Sequence, residues 1–317
     1  MTEIPAVDLG GGVTMPMVGL GTWSLTGRRG YEAIRYALEA GYRHIDTATM
    51  YRNEHEVGQA LRDSGLDRGE VFVTTKLPSG NAGRARATLA ESLRALGTDH
   101  VDLWLIHWPP RRGASVPLWR DFLALRDEGL CRAVGVSNYD VAQIDELIAA
   151  TGERPAVNQI PWSPSQYDPA LLAAHADRGV AVEGYSPLKG TRLRDPALTE
   201  IAARHQVTPA QVVLRWHLEH GITVIPKSAR PDRIKSNLDL SGFSLTPAEV
   251  SRLDRHAAVG VGGQQGRVVP GGAPRDLVDG GTLPCRGDEL VDLGDAVVAD
   301  PDTAAQALVA QGAELAP

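Results

Sequence analysis

Three stretches of sequence decide the fold: GYRHIDTATMYRNE at residues 41–54, VFVTTK at 71–76 and VDLWLIHWP at 101–109. In each, an apolar or β-branched run is followed by polar side chains that a packed core would normally exclude, namely Asp46, Tyr51, Lys76 and His107. Because the carboxyl ends of parallel strands meet at one rim of a sheet, these side chains are expected to lie close together. The pattern predicts an α/β enzyme.

A β-like run followed by a helical pattern recurs at a spacing of about 25 to 35 residues, which is typical of repeated βα units. Most of the runs are continuously apolar, as expected for strands covered on both faces. We count eight, near residues 18–21, 42–46, 71–76, 101–106, 132–137, 156–160, 180–185 and 222–226. Eight parallel units predict a closed (β/α)8 TIM barrel. Helices are predicted over 81–96, and from Pro209 with Thr208 as N-cap.

The two ends of the chain differ from the repeats. AVDLGGGVTMPMVGL at residues 6–20 predicts a β-hairpin that plugs the bottom of the barrel. After residue 258 the periodic pattern stops, so we predict a barrel domain over 1–258 and an extended, irregular, Gly/Pro-rich tail over 259–317, with one short helix near 302–311. Residues 271–317 carry nine acidic and two basic side chains, which leaves 30 of each sign in residues 1–270. The net charge of -7 therefore belongs to the tail.

Composition excludes several classes of protein. The chain has 317 residues, of which 43% are hydrophobic and 22% charged, as in ordinary globular proteins. No apolar run approaches the roughly 18 residues of a membrane span, and the first residues do not resemble a secretory signal. We therefore predict a cytoplasmic protein that binds neither membrane nor nucleic acid. The spacing of Cys131 and Cys285 does not suggest a metal site.

The four rim residues suit the reduction of a carbonyl group, which needs a hydride at carbon and a proton at oxygen. Tyr51 is the best proton donor, but its ordinary pKa of about 10 makes it a weak acid, so we predict that a neighbouring cation lowers it. Lys76 is that cation, and Asp46 is placed to hold it as an ammonium ion. His107 would orient the substrate oxygen.

Each residue taken alone has a plainer interpretation. Asp46 would cap a helix, Lys76 would be solvated and His107 would be a structural histidine. Tyr51 would be a core aromatic residue. Their joint appearance after successive strands favours a site. A barrel isomerase or aldolase that uses Lys76 as a Schiff base is another alternative.

Long motifs in residues 4–256 resemble the aldo-keto reductase family, and in particular its bacterial branch of diketogluconate and methylglyoxal reductases. They are GYRHIDTATMYRNEHEVGQAL, LWLIHWP, GVSNY, VNQIPWSP, GYSPL and IPKSARPDRIKSN, in the family's order and spacing. The resemblance implies a barrel that reduces aldehydes or ketones with NADPH. It implies that Tyr51 is the acid, that Lys76 and Asp46 tune it, and that His107 binds the carbonyl.

The cofactor prediction also comes from the resemblance, since GLGTW at 19–23 does not satisfy the Rossmann fingerprint. The implied NADPH ligands are Thr22, Ser137, Asn138, Gln159, Tyr185, Ser186, Leu188, Lys227, Ser228, Arg233 and Asn237. Among them, the resemblance assigns the nicotinamide carboxamide to Ser137, Asn138 and Gln159, and ring stacking to Tyr185. It assigns the 2′-phosphate to Lys227, Ser228 and Arg233, and adenine to Asn237. Ser236 stands where the family commonly has glutamate.

Aromatic residues at the predicted rim point to the substrate. Trp23 and Trp108 would form apolar walls beside the reacting carbonyl. Arg111 and Arg112 make the mouth basic, which suits acidic carbonyl compounds such as keto sugar acids. We predict a small-molecule substrate and a monomer. The alternative function is a catalytically idle barrel that binds NADPH and acts as a redox-sensing partner.

Overall fold

A closed barrel of eight parallel strands forms the centre of the computed structural model, which describes residues 4–111 and 113–260. Strands β3 to β10 pair in chain order, each parallel to its neighbour. A separate antiparallel hairpin, β1 and β2, precedes them. The strands are β1 Ala6–Gly10, β2 Val13–Pro16, β3 Leu20–Gly21, β4 His44–Asp46, β5 Phe72–Leu77, β6 Val101–Ile106, β7 Cys131–Ser137, β8 Val157–Pro161, β9 Ala181–Tyr185 and β10 Thr223–Val224.

Helices surround the barrel and bury its outer face. In the described part of the chain they are α1 Gly27–Ala40, α2 Glu54–Asp63, α3 Ala85–Leu96, α4 Ser115–Asp127, α5 Val141–Thr151, α6 Pro169–Ala176, α7 Pro196–His205, α8 Pro209–Glu219, α9 Pro231–Leu238 and α10 Pro247–Gly260. No helix among these residues is long and apolar enough to cross a membrane.

Backbone hydrogen bonds between the first and last barrel strands close the ring. Gly19 N donates to Val224 O at 2.9 Å, Gly21 N to Pro226 O at 3.1 Å, and Val224 N to Met17 O at 2.8 Å. Residue 19 must be small, because a Cβ there would lie 2.8 Å from His44 Nδ1. This closure confirms the predicted (β/α)8 barrel.

The hairpin closes the bottom of the barrel, as predicted. Leu9, Val13 and Met15 are buried and pack in one cluster with Phe72 and Leu103, which lie near the amino ends of their strands. Apolar contacts therefore fill the bottom of the barrel, and the polar side chains that follow the strands lie at the opposite, carboxyl end.

Alternation along each strand separates the inside of the barrel from the outside. In β5, Val73 and Leu77 pack in the core cluster beneath the helices. Phe72 lies in the bottom cluster and Lys76 contacts Asp46 on the neighbouring strand. Inward residues thus change from apolar to polar as the strand rises.

Both helices predicted from the sequence within the barrel are present, but the one predicted over 81–96 begins later than expected. Thr208 caps α8 through a reciprocal bond with Gln211, and Pro209 occupies the first helical position. The helix predicted over 81–96 begins at Ala85, because residues 79–84 form a tighter 3-10 segment. The tail from residue 261 onward, including the helix predicted near 302–311, lies outside the described residues.

Candidate active site

The four predicted catalytic residues meet at the carboxyl rim of the barrel. Asp46 is the last residue of β4, Lys76 the penultimate residue of β5, and His107 follows β6 directly. Tyr51 ends a single 3-10 turn, Thr49–Tyr51, which carries its ring back over the rim. The sequence pattern therefore brings the four side chains together.

Lys76 is the centre of the cluster, and its side chain is fully buried. Its Nζ donates to Asp46 Oδ1 at 2.6 Å, to Thr47 O at 2.9 Å and to Tyr51 Oη at 3.4 Å. Burial alone would lower the pKa of this amine, but Asp46, together with Tyr51 and Glu183, outweighs burial and raises the pKa to about 12. An ammonium ion with all three hydrogens engaged is a poor nucleophile, which argues against the Schiff-base alternative.

Tyr51 accepts the hydrogen bond from Lys76 and keeps its own hydrogen for another acceptor. Its pKa is raised, because burial disfavours the phenolate more strongly than Lys76 favours it. The predicted lowering of the pKa was therefore wrong as a net effect, although Lys76 acts in the predicted direction. The phenol stays protonated until a more basic oxygen is present to accept its proton.

His107 packs edge-on against Tyr51, with 5.8 Å between the ring centroids. Burial, together with the charge of Lys76, lowers the pKa of the imidazole to about 3, so the ring is neutral. Its buried Nδ1 has no hydrogen-bond partner among the described residues. A neutral imidazole carries one N–H, which suits a carbonyl oxygen as acceptor.

A chain of hydrogen bonds joins the residues predicted for the carboxamide. Ser137 Oγ donates to Gln159 O at 2.8 Å, and Asn138 Nδ2 donates to Ser137 Oγ at 2.9 Å and to His107 O at 3.0 Å. Tyr185 Oη donates to Asn138 Oδ1 at 2.8 Å. Asn138 has a φ of 62°, a left-handed conformation that asparagine tolerates better than most residues.

Gln159 connects this rim to a deeper polar layer that the sequence reasoning missed. Its Nε2 donates to Asp46 Oδ2 at 2.8 Å and to Glu183 Oε2 at 2.7 Å. Glu183 and His44 are both buried, and Glu183 Oε1 lies 3.6 Å from His44 Nε2. The available signal was position: Glu183 precedes Tyr185 by two residues and therefore faces the same way.

The remaining predicted cofactor residues lie along the seam where the barrel closes and on the turn after β9. Thr22 follows β3, and its buried Oγ1 has no partner within the described residues. Lys227 and Ser228 follow β10, while Arg233 and Asn237 lie on α9. Ser186 and Leu188 occupy the turn beyond β9, where Lys189 N donates to Ser186 O. The orphaned hydroxyl of Thr22 and the buried hydroxyl of Ser228 are consistent with a ligand along this seam.

Three large apolar side chains stand exposed at the same rim. Trp23 is 51% exposed and Trp108 49%, as the substrate prediction requires, and Met50 is 57% exposed. Met50 was missed, although its position next to Tyr51 marked it. Arg111 is exposed on the loop after β6, and Arg112 lies outside the described residues. Together the three side chains would give a carbonyl substrate an apolar surround.

Cys131 is the cysteine within the described part of the chain. Cys131 is buried in the core cluster, and burial raises the pKa of its thiol to about 12. Among the side chains described in residues 4–255, leaving out 112, no group of three or more His, Cys, Asp or Glu could hold a metal ion.

Comparison with known proteins agrees with this geometry. The model of the aldo/keto reductase family matches residues 17–258. The chain is 44% identical to 2,5-diketo-D-gluconic acid reductase B of Corynebacterium sp. over 80% of this chain and 93% of that protein. It is 38% identical to methylglyoxal reductase DkgA of Escherichia coli over 82% and 97%.

Solved structures give the same result. An aldo/keto reductase from Brucella melitensis has a TM-score of 0.77 at 41% identity, with 80% of this chain and 99% of that chain covered. An aldo-keto reductase from Bombyx mori, solved in complex with NADP, has a TM-score of 0.76 at 35% identity over 80% and 93%.

Proposed function

Since this chain belongs to the aldo/keto reductase family and reduces aldehydes or ketones to alcohols with NADPH, we propose that Tyr51 is its proton donor and that Asp46, Lys76 and His107 complete the catalytic site. The observation that carries the proposal is the contact of Lys76 Nζ with both Asp46 Oδ1, at 2.6 Å, and Tyr51 Oη, at 3.4 Å. This contact gives the Tyr51 phenol a neighbouring positive charge.

The division of labour follows from the protonation states. NADPH, when bound at the rim, would supply the hydride for the carbonyl carbon. Neutral His107 donates a hydrogen bond to the carbonyl oxygen and holds it near Tyr51. Tyr51 transfers its proton to that oxygen as negative charge develops there. Lys76 then stabilises the phenolate, and Asp46 keeps Lys76 charged throughout.

The cofactor would lie across the rim. We assign its carboxamide to Ser137, Asn138 and Gln159, and its ring to the face of Tyr185. Its phosphates would lie by Thr22, Ser186 and Leu188 and along the seam, where Lys227, Ser228 and Arg233 offer cations and a hydroxyl, with Asn237 beside the adenine. Because both Nε2 hydrogens of Gln159 are engaged, its contact with the carboxamide would use Oε1 as acceptor.

The substrate is a small carbonyl compound with some apolar surface. Trp23, Met50 and Trp108 supply the walls, and Arg111 favours an acidic group at the mouth. A keto acid fits both features, as the name of the similar diketogluconate reductase suggests. That the protein acts as a cytoplasmic monomer stays a prediction.

The test measures NADPH oxidation by the purified chain with short aldehydes, dicarbonyls and keto acids, for wild type and Tyr51→Phe. We expect Tyr51→Phe to lower kcat by about 10²- to 10⁴-fold, as is usual for loss of a general acid, while NADPH binding measured by fluorescence is retained. Tyr36→Phe, on the outer helix α1, is the matched control and should keep the wild-type rate. Full activity in Tyr51→Phe would show that another group donates the proton.

A further inference from the structure

We propose that Glu183 is a positioning residue of the reduction site, which holds Gln159 against Asp46 as a protonated carboxyl group. The inference rests on the proposed function, since Asp46 matters only if it serves Lys76 and Tyr51. Glu183 lies in the middle of β9 and points into the barrel, one layer below the rim. It is fully buried and is the second carboxyl group in this interior layer.

Gln159 is the physical link between the two carboxyl groups. Its single Nε2 donates at 2.8 Å to Asp46 Oδ2 and at 2.7 Å to Glu183 Oε2. The other oxygen of Asp46 accepts from Lys76. A change at Glu183 is therefore passed through one amide to the ion pair that faces Tyr51.

The hydrogen-bond pattern around His44 indicates where a proton lies. His44 Nδ1 is 3.0 Å from Pro16 O, which can only accept, so Nδ1 carries the hydrogen. Nε2 then presents a lone pair, both to Thr74 Oγ1 at 3.2 Å and to Glu183 Oε1 at 3.6 Å. An ionised Oε1 would face this lone pair with no donor between them, and protonation of Glu183 removes that repulsion. Oε1 has no hydrogen-bond partner in the described residues, so no donor there stabilises its ionised form.

The charges that face Glu183 support the same assignment. They are Asp46 and Lys76, which offset each other, Tyr51, whose pKa is raised mainly by burial, and His44, whose pKa is lowered because it is buried. Thr223 on the adjacent strand is uncharged. Burial, reinforced by the charge of Asp46, raises the pKa of Glu183 to about 8. With Glu183 neutral, the buried layer carries no net charge, and the field of Lys76 at Tyr51 is opposed by Asp46 alone.

The test compares Glu183→Gln, which keeps the shape of a protonated carboxyl group, with Glu183→Ala, which removes the partner of Gln159. Near neutral pH we expect kcat/KM of Glu183→Gln within about twofold of wild type and that of Glu183→Ala at least about tenfold lower, because the catalytic pair is misplaced. As the pH rises past about 8, Glu183 ionises and wild type should lose activity. Glu183→Gln has no group to ionise there and should not show this loss.

Infrared difference spectroscopy gives a readout that does not need turnover. The stretching band of a protonated carboxyl group should be present in wild type near neutral pH, absent in Glu183→Gln, and lost as the pH rises past about 8. No difference in this band between the two proteins, or a Glu183→Gln variant as impaired as Glu183→Ala, would overturn the proposal. A wild type that shows the band but neither binds NADPH nor reduces a carbonyl would refute the proposed function instead.

Discussion

Breaking the buried pair of Asp46 and Lys76 should cost far more stability than removing it whole. At the observed 2.6 Å and an effective dielectric constant of about 20, the attraction is about 6 kcal/mol. Dehydration of each ion costs several kcal/mol, so the attraction is largely offset. Lys76→Met or Asp46→Asn alone leaves an uncompensated buried charge, and each should lower the free energy of unfolding by about 3–5 kcal/mol. The double variant leaves no charge and should lie within about 2 kcal/mol of wild type.

The measurement is urea unfolding of the four proteins at one pH, followed by tryptophan fluorescence and circular dichroism. The double-mutant cycle should give a coupling free energy of at least about 3 kcal/mol. The pKa of Lys76 rises from 10.5 to about 12 on folding. Its stabilisation is therefore fully present below pH 10.5, is lost as the pH rises through 12, and amounts to roughly 2 kcal/mol at about 1.4 kcal/mol per pKa unit.

Lys76→Met should lack that alkaline loss of stability. If the losses in free energy of unfolding of the two single variants summed to the loss in the double variant, the two side chains would act independently. That result would refute the reasoning about the buried pair. A large coupling with no alkaline difference would mean that Lys76 is uncharged in the folded protein, which contradicts the site as described.

Three further outcomes are expected. The Cε1–H resonance of His107, assigned by its loss in His107→Gln, should not titrate until the pH approaches 3, and a midpoint near 6.5 would show an exposed imidazole instead. Gly58→Ala should lower the free energy of unfolding by about 1–3 kcal/mol, because the new Cβ would lie 2.4 Å from Leu96 O. Gly69→Ala is the control, since a Cβ at residue 69 would meet open space. Equal melting temperatures of the two variants would contradict this prediction. Trp108→Ala should raise KM for carbonyl compounds with apolar side chains more than for methylglyoxal, and an equal change for both would remove Trp108 from the pocket wall.

The sequence was sufficient for the barrel and for the meeting of four polar side chains at its rim, because both depend on local pattern. Asp46 and Lys76 come at the ends of strand-like runs, and strand order in this barrel repeats chain order, so adjacent runs imply adjacent side chains. The helix over 81–96 was placed correctly by Leu89, Leu93 and Leu96, all buried, and only its first turn differed.

Properties that depend on burial could not be predicted in the same way. The pKa of Tyr51 was expected to fall because Lys76 was recognised, but the dehydration that raises it depends on surrounding side chains from several strands. Glu183 was missed for a related reason. In VAVEGY the glutamate shares its strand face with Tyr185, but only the register with Gln159 shows that this face is the interior of the barrel.

The seam between residues 17–21 and 222–226 also bears on how the protein is made. It joins segments about two hundred positions apart, so a nascent chain still short of Val224 has two unpaired strand edges. Contacts this distant form late, which leaves an open sheet during most of synthesis. Ribosome-bound chains halted before the last strand emerges should therefore be the species most prone to self-association and to capture by chaperones.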